Sequence, residues 1–165
     1  MANENPKKPG DDVFPQYSIT RTLRAASAVE ITKGNLYTLN SDGRLIALTA
    51  SSGAIASTTK GLFQAKTSVA AVTYTDADKA PEVQCLVNGS WILMKAPANI
   101  VEGDRVAVAV GTGTSITPDK VEVATSSSFL DYLGTVHSIY TVDDNTTPKI
   151  KTAADDLVII QRGLK

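Results

Sequence analysis

Apolar residues occur along most of the chain as short β-branched and aliphatic runs that are separated by turn-forming residues. A helical period is nearly absent. Short strands bounded by glycine, proline, asparagine and serine are typical of β-sandwiches and β-barrels. The runs expected to form strands are Leu36–Leu39, Arg44–Leu48, Val69–Tyr74, Val83–Val87, Trp91–Met94, Asp104–Val110, Lys120–Ala124, Thr135–Val142 and Leu157–Gln161. The pattern therefore predicts an all-β fold.

Two hairpins are predicted from the residues between neighbouring runs. The turn Ser41–Gly43 contains a glycine that supplies a positive φ angle, so the strands on either side of it are expected to pair. Asn88–Gly89 is the preferred dipeptide of a tight primed turn. The flanking runs Val83–Val87 and Trp91–Met94 are therefore expected to form the second hairpin.

Residues 1–24 differ from the rest of the chain because they contain several prolines and charged residues and little apolar periodicity. Such a segment cannot bury enough apolar surface alone to offset the entropy lost on ordering. It is either a disordered tail or an arm that becomes ordered on a neighbouring subunit, and its apolar side chains favour the arm. We therefore predict an extended N-terminal arm over residues 1–24 and a β-barrel or sandwich domain over residues 25–165. The residues expected to make contacts from the arm are Phe14, Tyr17, Arg21, Leu23 and Arg24.

The formal net charge of −1 leaves no broad basic surface to neutralise a phosphate backbone, so nucleic-acid and membrane partners are disfavoured. The N-terminus lacks the apolar region of a secretory signal, which predicts synthesis in a reducing cytoplasm. Cys85 is the single cysteine and lies in an apolar run, so a buried, unreactive thiol is expected. Trp91 directly follows the Asn88–Gly89 turn and has no basic stripe beside it, which favours an oligomer or surface contact over a ligand platform.

The residues that could carry chemistry do not form a recognisable catalytic set. His137 is the only histidine, and no serine or cysteine lies in a nucleophile motif that it could serve. The acidic turns Asp76–Asp78, Asp143–Asn145 and Asp155–Asp156 lack the spacing of a calcium loop and are interpreted as solvated loops. Gly111–Ser115 lacks the lysine and helix of a phosphate-binding loop and is interpreted as a turn. We therefore expect no catalytic residue, no metal site and no cofactor.

Three stretches resemble small tailed-phage capsid decoration (cement) proteins. They are an apolar-x-x-Gly-Asn turn leading into a strand at Val29–Asn40, a Glu-Gly-Asp-x-Val turn at Glu102–Val106, and a Leu-Gly-x-Val strand at Leu133–Val136. The similarity covers about residues 28 to 140. This resemblance implies a small β-barrel or a β-tulip-like sandwich that forms a homotrimer and binds the major capsid protein.

The function implied by the resemblance is structural. The protein would be made in the host cytoplasm, bind the outside of the virion and stabilise the shell by bridging neighbouring capsid subunits, with the arm contacting those neighbours. The alternative is a viral fibre, a baseplate component or a receptor-binding β-module that uses Trp91 or exposed tyrosines to bind glycans. A β-rich hydrolase with metal chemistry in its acidic loops is a third hypothesis.

Overall fold

The protein is described by a computed structural model over residues 6–111, 113–125, 132–141 and 148–163. Its strands are β1 (Thr20–Arg24), β2 (Leu36–Leu39), β3 (Leu45–Ala47), β4 (Ala50–Ser51), β5 (Ala54–Ile55), β6 (Phe63–Ala65), β7 (Glu82–Leu86), β8 (Trp91–Lys95), β9 (Arg105–Val110), β10 (Ile116–Val123), β11 (Tyr132–Ile139) and β12 (Leu157–Gln161). Two short 3-10 turns, Pro15–Tyr17 and Ala77–Lys79, are the helical segments of these residues. Among the described residues, no helix has the length and apolar character needed to span a membrane. The predicted all-β class is confirmed.

The strands form two main sheets and a small hairpin. One sheet has five strands in the order β1-β7-β6-β2-β3, the other closes into a barrel in the order β10-β8-β12-β11-β9, and β4 pairs with β5. The two outer strands of the five-stranded sheet meet at a bridge between Ala25 and Leu45. Leu36 and Leu86 of that sheet belong to the same buried cluster as Ile92 of the barrel. The two sheets therefore share one core in a sandwich-like arrangement.

The N-terminal region contributes a strand to this sandwich. β1 pairs antiparallel with β7, with Thr20 opposite Leu86 and Arg24 opposite Glu82. The predicted arm, residues 1–24, therefore includes β1, which is a strand of the five-stranded sheet. Of the described residues, those that precede β1 are residues 6–19, which we call the N-terminal segment.

Several predicted elements agree with the structure. β2 and β3 pair antiparallel around the predicted Ser41–Gly43 turn. The side-chain oxygen of Asn40 accepts hydrogen bonds from the backbone N–H groups of Asp42 and Arg44 and so holds this turn together. β9 and β12 lie where Asp104–Val110 and Leu157–Gln161 were predicted to be extended.

The predicted pairing across Asn88–Gly89 is wrong, although both flanking strands form. β7 lies in the five-stranded sheet and β8 lies in the barrel, so the turn carries the chain from one sheet to the other. The turn itself is tight, because the N–H of Ser90 donates to the carbonyl of Val87. On either side of the turn, the N–H of Val87 donates to the carbonyl of Ile19, and the N–H of Arg162 donates to the carbonyl of Ser90. Distant segments thus bind the backbone groups through which a hairpin would have paired.

The predicted strand Val69–Tyr74 is also wrong. Only Val69 forms a bridge, to Ile31. The chain facing this run turns at residues 26–29, where the N–H of Val29 donates to the carbonyl of Ala26, and this turn interrupts any longer ladder. The run instead connects β6 to the second 3-10 turn without forming a strand, and the carbonyl of Val72 accepts a hydrogen bond from the N–H of Ala28.

β10 begins earlier than expected, at Ile116 instead of Lys120. Pro118 lies near the start of this strand. In the structure it lies in an irregularity of the β9–β10 pairing, where the register shifts between Thr117 and Val121. A proline has no N–H to donate, so it is tolerated within a sheet at such a bulge.

Gly134 marks a close approach between two barrel strands. A Cβ atom at this position would lie 2.3 Å from the carbonyl oxygen of Gln161 and 2.8 Å from the Cγ2 of Ile160. β11 changes register against β9 between Tyr132 and Gly134. Closure of the barrel therefore requires a residue without a side chain here.

We expect Gly134→Ala to destabilise the fold, because β11 must move away from β12 to admit a methyl group. Overpacking of this kind costs about 1–3 kcal/mol, and the melting temperature should fall by roughly 2–4 °C for each kcal/mol. Thermal unfolding followed by circular dichroism measures the change. Gly163→Ala is the matched control, because no heavy atom lies within 4 Å of its added Cβ apart from those of Gly163 itself and its two chain neighbours. Equal melting temperatures for the two variants would contradict the assignment.

Candidate contact surface

The N-terminal segment lies across both sheets of its own chain. On the side of the five-stranded sheet, Asp11 pairs with Lys33, and the Asp12 carboxylate lies 2.8 Å from the Lys66 ammonium. A Cβ atom on Gly10 would lie 2.6 Å from the carbonyl oxygen of Ala65, so this stretch of backbone contacts the sheet directly.

On the barrel side, the segment is held by apolar burial and by backbone hydrogen bonds. Val13 is buried against Leu93 and Ile159, which face outward from the barrel. The backbone N–H of Lys7 donates to the hydroxyl of Tyr140 over 3.0 Å. Full burial of a valine side chain is worth about 1.5–3 kcal/mol at most. The segment therefore joins the two sheets at their outer faces.

Four rings gather where the segment reaches the barrel, and we call Phe14, Tyr17, Trp91 and His137 the aromatic surface. Tyr17 stacks on Trp91 with ring centroids 4.5 Å apart and an interplanar angle of 16°. Phe14 contacts Trp91 edge-on, with ring centroids 5.5 Å apart. The ring of His137, on β11, has its centroid 4.4 Å from that of Trp91, on β8. Aromatic pairs of this geometry are worth about 0.5–1.5 kcal/mol each beyond the area they bury.

Local sequence places the two rings of the segment side by side. Pro15 restricts Phe14 to an extended conformation and begins the 3-10 turn. Residues three apart in such a turn lie on the same side. Phe14 and Tyr17 therefore both face Trp91.

Strand alternation places the other two rings outside the barrel. On β8, Ile92 points into the shared core and Trp91 points outward; on β11, Val136 points inward and His137 outward. β12 lies between these strands and pairs with both. Trp91 and His137 therefore lie on one outer face.

The aromatic surface remains partly open to solvent. Tyr17 is 45% exposed, and Ile19 beside it is 53% exposed. His137 is exposed, and Trp91 is half-buried beneath its neighbours. An exposed apolar group that is already fixed by packing loses little conformational entropy when a partner covers it.

The sequence-predicted contact residues fall into separate places. Phe14 and Tyr17 join Trp91, while Arg21 is exposed on β1. Leu23 is buried in the five-stranded sheet. The Arg24 guanidinium lies 3.6 Å from both Asp78 and Glu82 and donates to the carbonyl of Ala77. His137 was not among the predicted contact residues, because its contact with Trp91 depends on strand pairing that the sequence does not reveal.

The described cysteine and acidic residues that were considered for catalysis or metal binding are buried or bound to neighbouring groups. Cys85 is buried as predicted, and burial raises the pKa of its thiol to about 12. Asp76 caps the 3-10 turn by accepting from the N–H of Asp78. Asp155 and Asp156 bind Lys120 and Lys149, respectively. No group of three metal-ligand side chains occurs in the described residues.

Two of the expected loops are partly or wholly outside the described residues. The turn at Gly111–Ser115 joins β9 to β10, with the N–H of Gly111 donating to the carbonyl of Ser115, while Thr112 is outside the described residues. Asp143–Asn145 lies wholly outside them.

The ion pairs of the N-terminal segment perturb its carboxyl groups. Burial alone would raise the pKa of Asp12, but the hydrogen bond and charge of Lys66 hold that pKa below its usual value. The pKa of Asp11 is likewise lowered by Lys33 against the opposing effect of burial. Both carboxylates therefore favour the folded chain in their ionised form.

The chain matches no protein-family model, and no curated protein matches it significantly. The aromatic surface is therefore the candidate functional site on the strength of its geometry alone.

Asp12 should help to hold the N-terminal segment on the sheet at neutral pH, and this contribution should be lost in acid. Because its pKa is lower in the folded chain than in the unfolded chain, its contribution is present above about pH 4 and is lost as the pH falls through the folded pKa. Asp12→Asn should lower stability at pH 7 by about 0.2–1 kcal/mol, as expected for a partly exposed pair, and should weaken the loss of stability below pH 4.

Trp91 is the single tryptophan, so its fluorescence reports directly on the attachment of Phe14 and Tyr17. Denaturant unfolding of the wild type and Asp12→Asn from pH 2 to pH 7 measures the effect. Asp42→Asn, in the exposed β2–β3 turn, is the control. The same pH dependence in Asp12→Asn and the wild type would show that the Asp12–Lys66 pair has no such role.

Proposed function

We propose that this chain is a non-enzymatic virion structural protein that binds the outer capsid surface and stabilises the shell by bridging neighbouring major capsid subunits. The observation that carries the proposal is the aromatic surface, a partly exposed set of stacked rings fixed on a rigid all-β body. The protein is made in the host cytoplasm and resides on the outside of the virion. It requires neither nucleic acid, membrane nor cofactor.

A structural module of this kind needs repeated contacts and no reactive group. Tyrosine and tryptophan are enriched among the residues that dominate binding at protein interfaces. When many copies bind a symmetric shell, and each copy bridges two subunits, the second contact is intramolecular and adds avidity. A net charge of −1 limits the repulsion between crowded copies.

The proposed contact uses the outward face of the N-terminal segment. The segment is already bound to its own body through Val13, Asp11 and Asp12. Tyr17 and Ile19 remain exposed on that face, and Arg21 is exposed next to them on β1. A capsid subunit that covers these three side chains would meet a preformed surface.

The alternative function is a fibre, baseplate or receptor-binding β-module that recognises glycans. The stacked pair of Tyr17 and Trp91 favours this alternative, because an exposed aromatic ring can pack against the apolar face of a sugar. Binding of the isolated protein to a glycan array, lost in Tyr17→Ser, would favour the alternative over shell binding.

Tyr17→Ser should weaken binding to the shell by about tenfold or more per contact. Loss of an interface aromatic side chain commonly costs more than about 1.4 kcal/mol, which corresponds to a factor of ten. Co-sedimentation with purified shells of the source virus that lack this protein measures the retention. Ile150→Ser is the matched control, because Ile150 is 87% exposed and lies outside the aromatic surface.

Ile150→Ser should keep the wild-type melting temperature, and Tyr17→Ser should lower it by only a few degrees, since each ring contact of Tyr17 is worth about 0.5–1.5 kcal/mol. Retention of Tyr17→Ser equal to that of Ile150→Ser would contradict the proposed contact. Absence of the wild-type chain from assembled particles would contradict the virion role as a whole.

Self-association into a homotrimer is part of the proposal. Light scattering coupled to size-exclusion chromatography should give a mass about three times the chain mass of 17.4 kDa. A chain that is monomeric at all concentrations in solution, and also on the shell, would contradict the homotrimer. The contact through Tyr17 is tested separately by co-sedimentation.

A further inference from the structure

A pocket of about 180 Å³ lies beside the Asn88–Gly89 turn, apart from the aromatic surface. It is lined by the loop before β6, the turn itself, the start of β11 and the residues that follow β12. A single buried water needs roughly 10–15 Å³ on a comparable measure. The pocket therefore has room for a ligand of several heavy atoms.

Arg162 contributes an unusual group to this pocket. Arg162 is only 4% exposed, and its Nη2 donates a hydrogen bond to the side-chain oxygen of Asn88. Its Nε and Nη1 are buried and have no hydrogen-bond partner among the described residues. A guanidinium has five N–H donors, and a neutral amide oxygen does not balance its charge.

The charge of Arg162 is retained at neutral pH. Burial lowers the pKa of this guanidinium to about 10, which still leaves it protonated at pH 7. Burial of a cation is unfavourable unless an anion compensates for the lost hydration. No carboxylate occurs among the described residues that line this pocket.

A second arginine lines a neighbouring pocket that also includes Asn88. An adjoining pocket of about 170 Å³ shares Gly61, Leu62 and Asn88 with the first one and is lined by Arg21. Arg21 is exposed and forms no ion pair within the described part of the chain. Two arginines therefore line pockets that meet at Asn88.

We propose that the pocket at Arg162 binds a small oxyanion, such as a carboxylate or phosphate group, with Arg21 at its outer side. Guanidinium N–H groups match the oxygen atoms of such anions, and hydrogen bonds to charged acceptors are stronger than those between neutral groups. The bound anion supplies the negative charge that the described lining of the pocket lacks beside the buried guanidinium. The site does not use Tyr17 or Trp91, and it shares only Arg21 with the proposed capsid contact, so Arg162→Met tests the anion site without altering that contact.

The experiment uses the full chain and three probes: sodium acetate, sodium phosphate and sodium sulfate. Each replaces sodium chloride at constant ionic strength and pH 7, and the melting temperature is measured against concentration. A ligand that binds only the folded chain raises the melting temperature in a saturable manner. We expect this rise in the wild type, its loss in Arg162→Met, and a several-fold weaker apparent affinity in Arg21→Met.

Lys79→Met is the control variant, because it removes one positive charge from an exposed 3-10 turn that lines neither pocket. It should respond as the wild type does. An equal response in the wild type and Arg162→Met would reveal a general salt effect and overturn the proposal. A response to acetate alone identifies a carboxylate, and a response to phosphate and sulfate alone identifies a tetrahedral oxyanion; a saturable response to all three identifies a general oxyanion site.

A second measurement on the wild type does not depend on the folding of Arg162→Met. The Nε–H of Arg162 gives its own resonance in a proton–nitrogen NMR spectrum. Titration with the anion that raises the melting temperature should shift this resonance with the same saturation midpoint. If it does not move with any of the three probes, Arg162 is solvated by water alone and the proposal is wrong.

Discussion

The arrangement of the molecule depends on the buried residue Ser90, at the point where the chain passes from one sheet to the other. Its hydroxyl accepts from the N–H of Ile19 over 3.0 Å and donates to the carbonyl of Ile19 over 2.9 Å. Its carbonyl accepts from the N–H of Arg162. Because buried backbone groups must be paired, these bonds keep the start of β1, the crossing and the end of β12 together. The aromatic surface and the Arg162 pocket both adjoin this junction.

A buried amide adds a second polar link between the sheets. The Nε2 of Gln64, on β6, donates to the carbonyl of Gly34 and to that of Leu93 on β8. The bond to Leu93 links the five-stranded sheet to the barrel at a defined position, which apolar packing alone does not fix. The N-terminal segment then lies over the same junction from outside, so Tyr17 is held on a body whose parts cannot easily shift relative to one another.

Local signals predicted the elements better than their pairing. The β2–β3 hairpin was predicted because its turn residues and its partner strands are adjacent in sequence. The pairing across Asn88–Gly89 was wrong because the competing partners, Ile19 and Arg162, are 69 and 74 residues away from this dipeptide, counted from Asn88 to each in turn. The same limit applies to the aromatic surface: Phe14, Tyr17 and Trp91 were each singled out, but their contact depends on the fold. No sequence pattern indicated that Arg162 would be buried.

The bridge between Ala25 and Leu45 brings the two outer strands of the five-stranded sheet together. The other sheet is closed already. An open strand edge is the usual template on which identical chains add to one another without limit, and charged side chains such as Arg21 and Arg24 discourage such growth along β1. The described strands therefore leave little open edge on which further copies of this chain could add by strand pairing.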